Sequence, residues 1–160
     1  MEEVEVFVEI DAPPPDVWEA LRSFESYPEW NPASRRIEGV VVDPGIERPP
    51  AAPSGRGRRT IESSVVAVEP HRRLAWLDRF VVPFAFDRYH EFHLEPITDS
   101  GRFTSEPLSD GSRRTRLLQR ETVRGALVPF AFDHDRVERA FVEMNEAIAA
   151  RAERRASPTI

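Results

Sequence analysis

The chain contains neither cysteine nor lysine. Without cysteine there can be no disulfide, thiolate nucleophile, thiolate zinc site or iron–sulfur cluster. Without lysine, all 22 basic residues are arginine, which excludes a Schiff-base lysine and a phosphate-loop lysine. No apolar run approaches the roughly 20 residues of a membrane-spanning helix. The opening MEEVEVFVEI lacks the basic start and apolar centre of a signal peptide. A formal net charge of −6 argues against nucleic acid as the main partner, which would need a basic face. These absences predict a cytoplasmic protein without integral membrane association. Its 160 residues, 40% of them hydrophobic, suffice for one core and leave little room for a second. One domain is expected over residues 1–155, with 156–160 as a disordered tail.

From Glu3 to Ile10 the chain alternates, with Val4, Val6, Val8 and Ile10 on one face. That period predicts a half-buried strand. Asp11 to Asp16, with prolines at 13, 14 and 15, opens a helix, because proline suits the first helical turn and acids suit its dipole. Val17, Trp18, Leu21 and Phe24 then recur at helical spacing. A second short helix is expected after Asn31-Pro32. Strands follow over Ile37–Asp43, Arg58–Glu69, Arg72–Val81, Asp87–Pro96 and Thr115–Arg124, with a Pro- and Gly-rich loop from Pro44 to Gly57. The chain ends in an amphipathic helix whose stripe is Val137, Ala140, Phe141, Met144 and Ile148, with Asp135 and Glu138 placed to cap it. This order predicts an α+β fold, an antiparallel sheet wrapped around the C-terminal helix.

Two segments repeat. Glu95-Pro96-Ile97-Thr98-Asp99 is echoed by Glu106-Pro107-Leu108-Ser109-Asp110, either a duplicated turn or chance. Val82-Pro83-Phe84-Ala85-Phe86-Asp87 recurs unchanged as Val128-Pro129-Phe130-Ala131-Phe132-Asp133. Alternating strand directions put both copies at one end of the sheet, in irregular segments. Phe84, Phe86, Phe130 and Phe132 there either gate a cavity mouth or plug that end of the core.

Parity along the last two strands identifies the chemistry. Phe86, Arg88, His90, Phe92 and Leu94 share one face, and Tyr89, Glu91 and His93 lie on the other. On the final strand Leu117, Gln119 and Glu121 must point inward, because the opposite face carries Arg116, Arg120 and Arg124. A hairpin that sets Leu94 against Leu117, Phe92 against Gln119 and His90 against Glu121 matches every inward residue with another. His90 and Glu121 then form a core pair, a ligand anchor or an acid/base dyad. Asp78 shares the parity of Leu74 and Trp76, so it either pairs with Arg88 or ends its strand in solvent. Trp30, Asn31 and Trp76 are further inward candidates. So many inward polar groups exceed what a plain core tolerates, which suggests a cavity. His90 and His93 point to opposite strand faces, and His134 lies between two acids suited to a helix start. No metal or cofactor is predicted.

Ile10-Asp11-Ala12-Pro13, Val17-Trp18-Glu19-Ala20-Leu21 and Tyr27-Pro28-Glu29-Trp30-Asn31-Pro32 resemble the opening of the START-like, birch-pollen-allergen-like superfamily. Val68-Glu69-Pro70, Arg73-Leu74-Ala75-Trp76, His90-Glu91-Phe92, Gln119-Arg120-Glu121 and the Phe141–Ala147 segment resemble its polyketide cyclase/dehydrase-like branch. The resemblance runs from Val4 to about Glu153. It implies a helix-grip fold, in which a seven-stranded antiparallel sheet grips the C-terminal helix over a hydrophobic cavity. It also implies lipid-like, aromatic or polyketide ligands, with His90, Phe92, Gln119 and Glu121 on the cavity wall. The stretch Glu47–Pro53 and the long Glu95–Arg113 region depart from the family pattern.

The expectation is therefore a binding protein, monomeric or homodimeric, for a small apolar ligand. Trp30, Asn31, Trp76, Asp78, Arg88, His90, Phe92, Gln119, Glu121, Phe141 and Met144 would contact that ligand, and the four phenylalanines would gate it. The alternatives are a cyclase or dehydratase using His90 and Glu121, or an interaction module docking through its apolar end.

Overall fold

The structure is a computed structural model that describes residues 1–23, 61–80, 84–97 and 113–157. Five strands form one antiparallel sheet: β1 (Glu2–Ile10), β2 (Ile61–Glu69), β3 (Arg73–Phe80), β4 (Asp87–Ile97) and β5 (Arg114–Arg124), in the order β1-β5-β4-β3-β2. Helix α1 (Pro14–Arg22) follows β1, α2 (Val128–Ala131) follows β5, and α3 (His134–Ala156) closes the chain. This α+β architecture, an antiparallel sheet with a C-terminal helix, fits the helix-grip arrangement. The sheet has five strands among the described residues, against the seven expected. The expected strand Ile37–Asp43, the helix after Asn31-Pro32, the Pro44–Gly57 loop and most of the duplicated turn lie outside them.

Helix α1 begins at the prolines, as fixed φ and a missing N–H permit. Its buried stripe is Pro14, Val17, Trp18, Ala20 and Leu21. The stripe meets α3, whose buried residues are Phe141, Met144, Asn145, Ile148, Ala149 and Ala152. Ile10, Leu21, Leu74, Phe92, Leu117 and Ile148 are wholly buried at the centre. Each such side chain contributes about 1.5–3 kcal/mol by leaving water.

Three local expectations need correction. The cap of α3 is Asp133, not Asp135 or Glu138. Asp133 has extended backbone and accepts from the Arg136 N–H at 3.1 Å, so the helix starts three residues before Val137. The helix also runs through Ala156, where Ser157 closes back on the Glu153 carbonyl. Finally, the second copy of the repeated hexapeptide is not irregular: Val128–Ala131 form the short α2, with proline in its first turn.

On the outer face the acids of β1 meet the arginines of β5. Arg120 pairs with Glu5 at 2.6 Å, Arg114 pairs with Glu9 and Asp11, and the Arg116 guanidinium lies 4.1 Å above the Phe7 ring. Such exposed pairs are each worth under about 1 kcal/mol, yet a one-residue slip would turn them all inward, so they help select the register. In β2 a bulge between Val65 and Ala67 breaks the alternation and leaves Val66 about half exposed.

Candidate functional site

The inner face of β3, β4 and β5 assembles the site. Cross-strand pairing sets Leu94 opposite Leu117, Phe92 opposite Gln119 and His90 opposite Glu121. On the other side of β4, Asp78 faces Arg88 and Trp76 faces His90. The predicted hairpin register is the observed one, and it carries the polar residues into contact.

Those contacts form one chain. Arg88 donates to Asp78 Oδ2 from Nη2 at 2.8 Å and from Nε at 3.2 Å, and its Nε lies 3.7 Å from Glu121 Oε2. The same Glu121 oxygen is 3.0 Å from His90 Nδ1. His90 Nε2 faces the Gln119 amide nitrogen at 3.1 Å, and that nitrogen also reaches Met144 Sδ at 3.4 Å. An amide nitrogen can only donate. His90 Nε2 therefore accepts, and the ring proton sits on Nδ1, donated to Glu121.

Asp78, His90, Gln119 and Glu121 are all buried, whereas the Arg88 side chain is 42% exposed and leads the row out to solvent. Burial alone would lower the Arg88 pKa, but the charges of Glu121 and Asp78 outweigh it and raise the guanidinium above its ordinary value. Asp78 is thus an inward, paired carboxylate and not a solvated strand end.

Aromatic rings wall in the histidine. Trp76 stacks on it at 4.6 Å with the planes 7° apart, Phe92 tilts against it at 5.0 Å, and Phe141 meets it edge-on at 5.1 Å. Phe92 is fully buried and Phe141 and Met144 nearly so. Trp30 and Asn31 lie outside the described residues.

The turn that leads into the second copy of the hexapeptide meets the first copy at one end of the sheet. The N–H groups of Ala126 and Leu127 donate to the carbonyls of Phe84 and Ala85. Gly125, at φ +137°, fits against the Ala85 carbonyl where a Cβ would overlap it. Phe84 is 82% and Phe130 88% exposed, so these two rings do not plug the core, while Phe86 and Phe132 are half-buried. Phe84 also holds a positive φ of 67°, rare for an aromatic residue.

Two features escaped the sequence reading. Asn145 is buried, and neither polar atom of its side chain has a partner among the described residues. Its place four residues after Phe141 and three before Ile148 on α3 was the available signal. Glu91, assigned to the solvated face, is in fact buried. Arg73 at 3.1 Å, His93 at 3.0 Å and Arg120 at 3.5 Å surround its carboxylate. Burial would raise the Glu91 pKa, but hydrogen bonds and charge from His93 and Arg73 prevail and hold it below the usual carboxylate range. The ligand atoms of exposed His134, Asp135 and Glu138 lie within 4.8 Å of one another; Glu138 is three and four residues from the other two, a spacing at which helical side chains meet without an ion.

The family described as "Polyketide cyclase / dehydrase and lipid transport" matches residues 1–156. The chain belongs to this family. Solved structures with the same fold include the Zhui aromatase/cyclase from Streptomyces sp. R1128, 21% identical with a TM-score of 0.62, covering 98% of this chain and 96% of that one. A hypothetical protein from Helicobacter pylori is 17% identical, with a TM-score of 0.60 over 94% of this chain and 86% of its own. A norcoclaurine synthase point mutant from Thalictrum, in complex with a transition-state analogue, is 10% identical with a TM-score of 0.59, covering 98% and 96%. Identities this low establish shared fold and no shared chemistry. No curated protein matches the chain. Among the described residues of this polyketide cyclase/dehydrase family member, no helix is long and apolar enough to cross a membrane.

Proposed function

We propose that this family member binds a small hydrophobic ligand, lipid-like, aromatic or polyketide-like, beside the inner face of the sheet. Trp76, Phe92, Phe141 and Met144 would hold the ligand's apolar body. His90, Gln119 and Glu121 would orient its polar end, and Phe84 and Phe130 would control entry. The observation that carries this reading is the polar row Asp78–Arg88–Glu121–His90–Gln119, buried except at Arg88, with aromatic rings packed around its histidine. A core built for stability alone would fill those positions with apolar side chains, since buried ion pairs rarely repay their desolvation. A few convergent polar groups among aromatic walls are the usual make-up of a ligand site.

A cyclase or dehydratase using His90 and Glu121 as acid and base is the second reading. It needs a histidine nitrogen free to reach substrate. Here Glu121 and Gln119 occupy both ring nitrogens, which favours binding over proton transfer.

Native mass spectrometry of freshly purified protein, with release of anything bound, tests the proposal. An apolar molecule in stoichiometric amount, or saturable binding of a naphthalene-type dye that Phe92→Arg abolishes, is the expected result. No bound molecule together with no dye binding would overturn it.

A further inference from the structure

The polar row has a sign and a vacant acceptor, and together they restrict what can enter. Asp78 and Glu121 bring two carboxyl groups to the site, and Arg88 brings one guanidinium that both already engage. Both ring nitrogens of His90 are engaged, Nδ1 by Glu121 and Nε2 by Gln119. The row thus sets two carboxyl groups against one guanidinium that they already share. At the inner end of the row, Gln119 is wholly buried and its Oε1 has no hydrogen-bond partner among the described residues. A buried acceptor left unsatisfied is costly, and a native structure retains one where something else completes it.

We propose that this row is a charge filter, with Gln119 as its specificity-determining residue. The site takes an aromatic ligand whose polar group is neutral and donates a hydrogen bond, a hydroxyl above all, to Gln119 Oε1. Carboxylates are rejected. An anion would meet two carboxyl groups, an acceptor oxygen and, among the described residues of the row, only a guanidinium already shared between them, and the low local dielectric strengthens that repulsion. An ether or ketone of the same shape would set acceptor against acceptor. A hydroxyl makes the bond that Gln119 lacks, and a site built to hydrogen-bond one group discriminates strongly against analogues without it.

The inference rests on the binding reading above, and a ligand panel separates the two. Naphthalene, naphthol, methoxynaphthalene and naphthoate share a ring system and differ in the polar group alone. Their affinities for the full-length protein are measured at pH 7 by fluorescence titration. Naphthol is expected to bind about tenfold or more tighter than methoxynaphthalene, the ratio of one satisfied buried acceptor, with naphthoate the weakest. In Gln119→Leu the naphthol advantage should disappear while naphthalene still binds. Equal affinity for naphthol and methoxynaphthalene, or tighter binding of either methoxynaphthalene or naphthoate, would overturn the filter and leave the binding reading intact. Failure of naphthalene and all three derivatives would overturn both. The wild-type panel decides the matter even if Gln119→Leu does not fold.

Discussion

The imidazole of His90 lies flat on the indole of Trp76, the ring centroids 4.6 Å apart and the planes within 7°. The pair is cross-strand, Trp76 on β3 directly opposite His90 on β4. Stacking holds the ring plane while Glu121 at Nδ1 and Gln119 at Nε2 fix its rotation. A ring held this way presents a fixed wall to a ligand and has little freedom to shuttle protons.

Because Glu121 joins His90 to Arg88, removing it frees a buried N–H and half-strips the guanidinium. Glu121→Ala should destabilise the fold by about 2–3 kcal/mol, measured by urea denaturation. The Glu121→Ala and His90→Ala effects should fall short of additivity by more than about 0.5 kcal/mol. Strict additivity would mean that the two side chains are not coupled.

On the outer face, the lowered pKa of Glu91 predicts acid sensitivity. In the relevant window the unfolded chain binds the Glu91 proton and the folded protein does not, so stability rises with pH there. The contribution is complete above the ordinary carboxylate pKa of about 4.3 and is lost as pH falls through the folded value. Glu91→Gln should flatten the dependence of the denaturation midpoint on pH below that point. An unchanged slope would show that other carboxylates set it.

Where the turn before the second hexapeptide meets the first, Gly125→Ala combines a positive φ with a Cβ forced into the Ala85 carbonyl. A loss of about 2 kcal/mol or more is expected by chemical denaturation. A loss under about 0.5 kcal/mol would mean that the two segments can separate freely.

The phenylalanines should divide sharply. Phe92→Ala empties a fully buried position and should cost about 3–5 kcal/mol. Phe130→Ser removes a ring that is more than four-fifths exposed and should change stability by about 0.5 kcal/mol or less, and Phe84→Gly, at a positive φ that glycine adopts freely, should not lower it. If the exposed rings control entry, the same two variants will alter the on-rate of a naphthalene dye in stopped-flow measurements and leave its equilibrium affinity nearly unchanged.

Much of the inner face was legible in the sequence. Alternation assigned faces to β4 and β5, and matching inward residues across a hairpin left one good register, which brought His90 to Glu121 and Phe92 to Gln119. The start of α1 was legible in its prolines. The start of α3 was not, because Asp133 and Asp135 are chemically alike as caps and the backbone conformation at Asp133 decides between them.

What the sequence by itself determined is what depends on period and on the nearest strand in the chain: the α+β class, the inward row, and the hexapeptides at one end. What tertiary structure decided depends on strands that the sheet order makes neighbours. Parity put Glu91 on the face opposite the inward row, yet β3 contributes Arg73, β5 contributes Arg120, and their long side chains close over it. The vacant Gln119 Oε1 has the same origin. Composition shows that the chain has a glutamine, but whether that oxygen finds a partner depends on where His90 and Met144 come to rest around it. Local pattern sets which way a side chain points, and the three-dimensional surroundings set what it meets there.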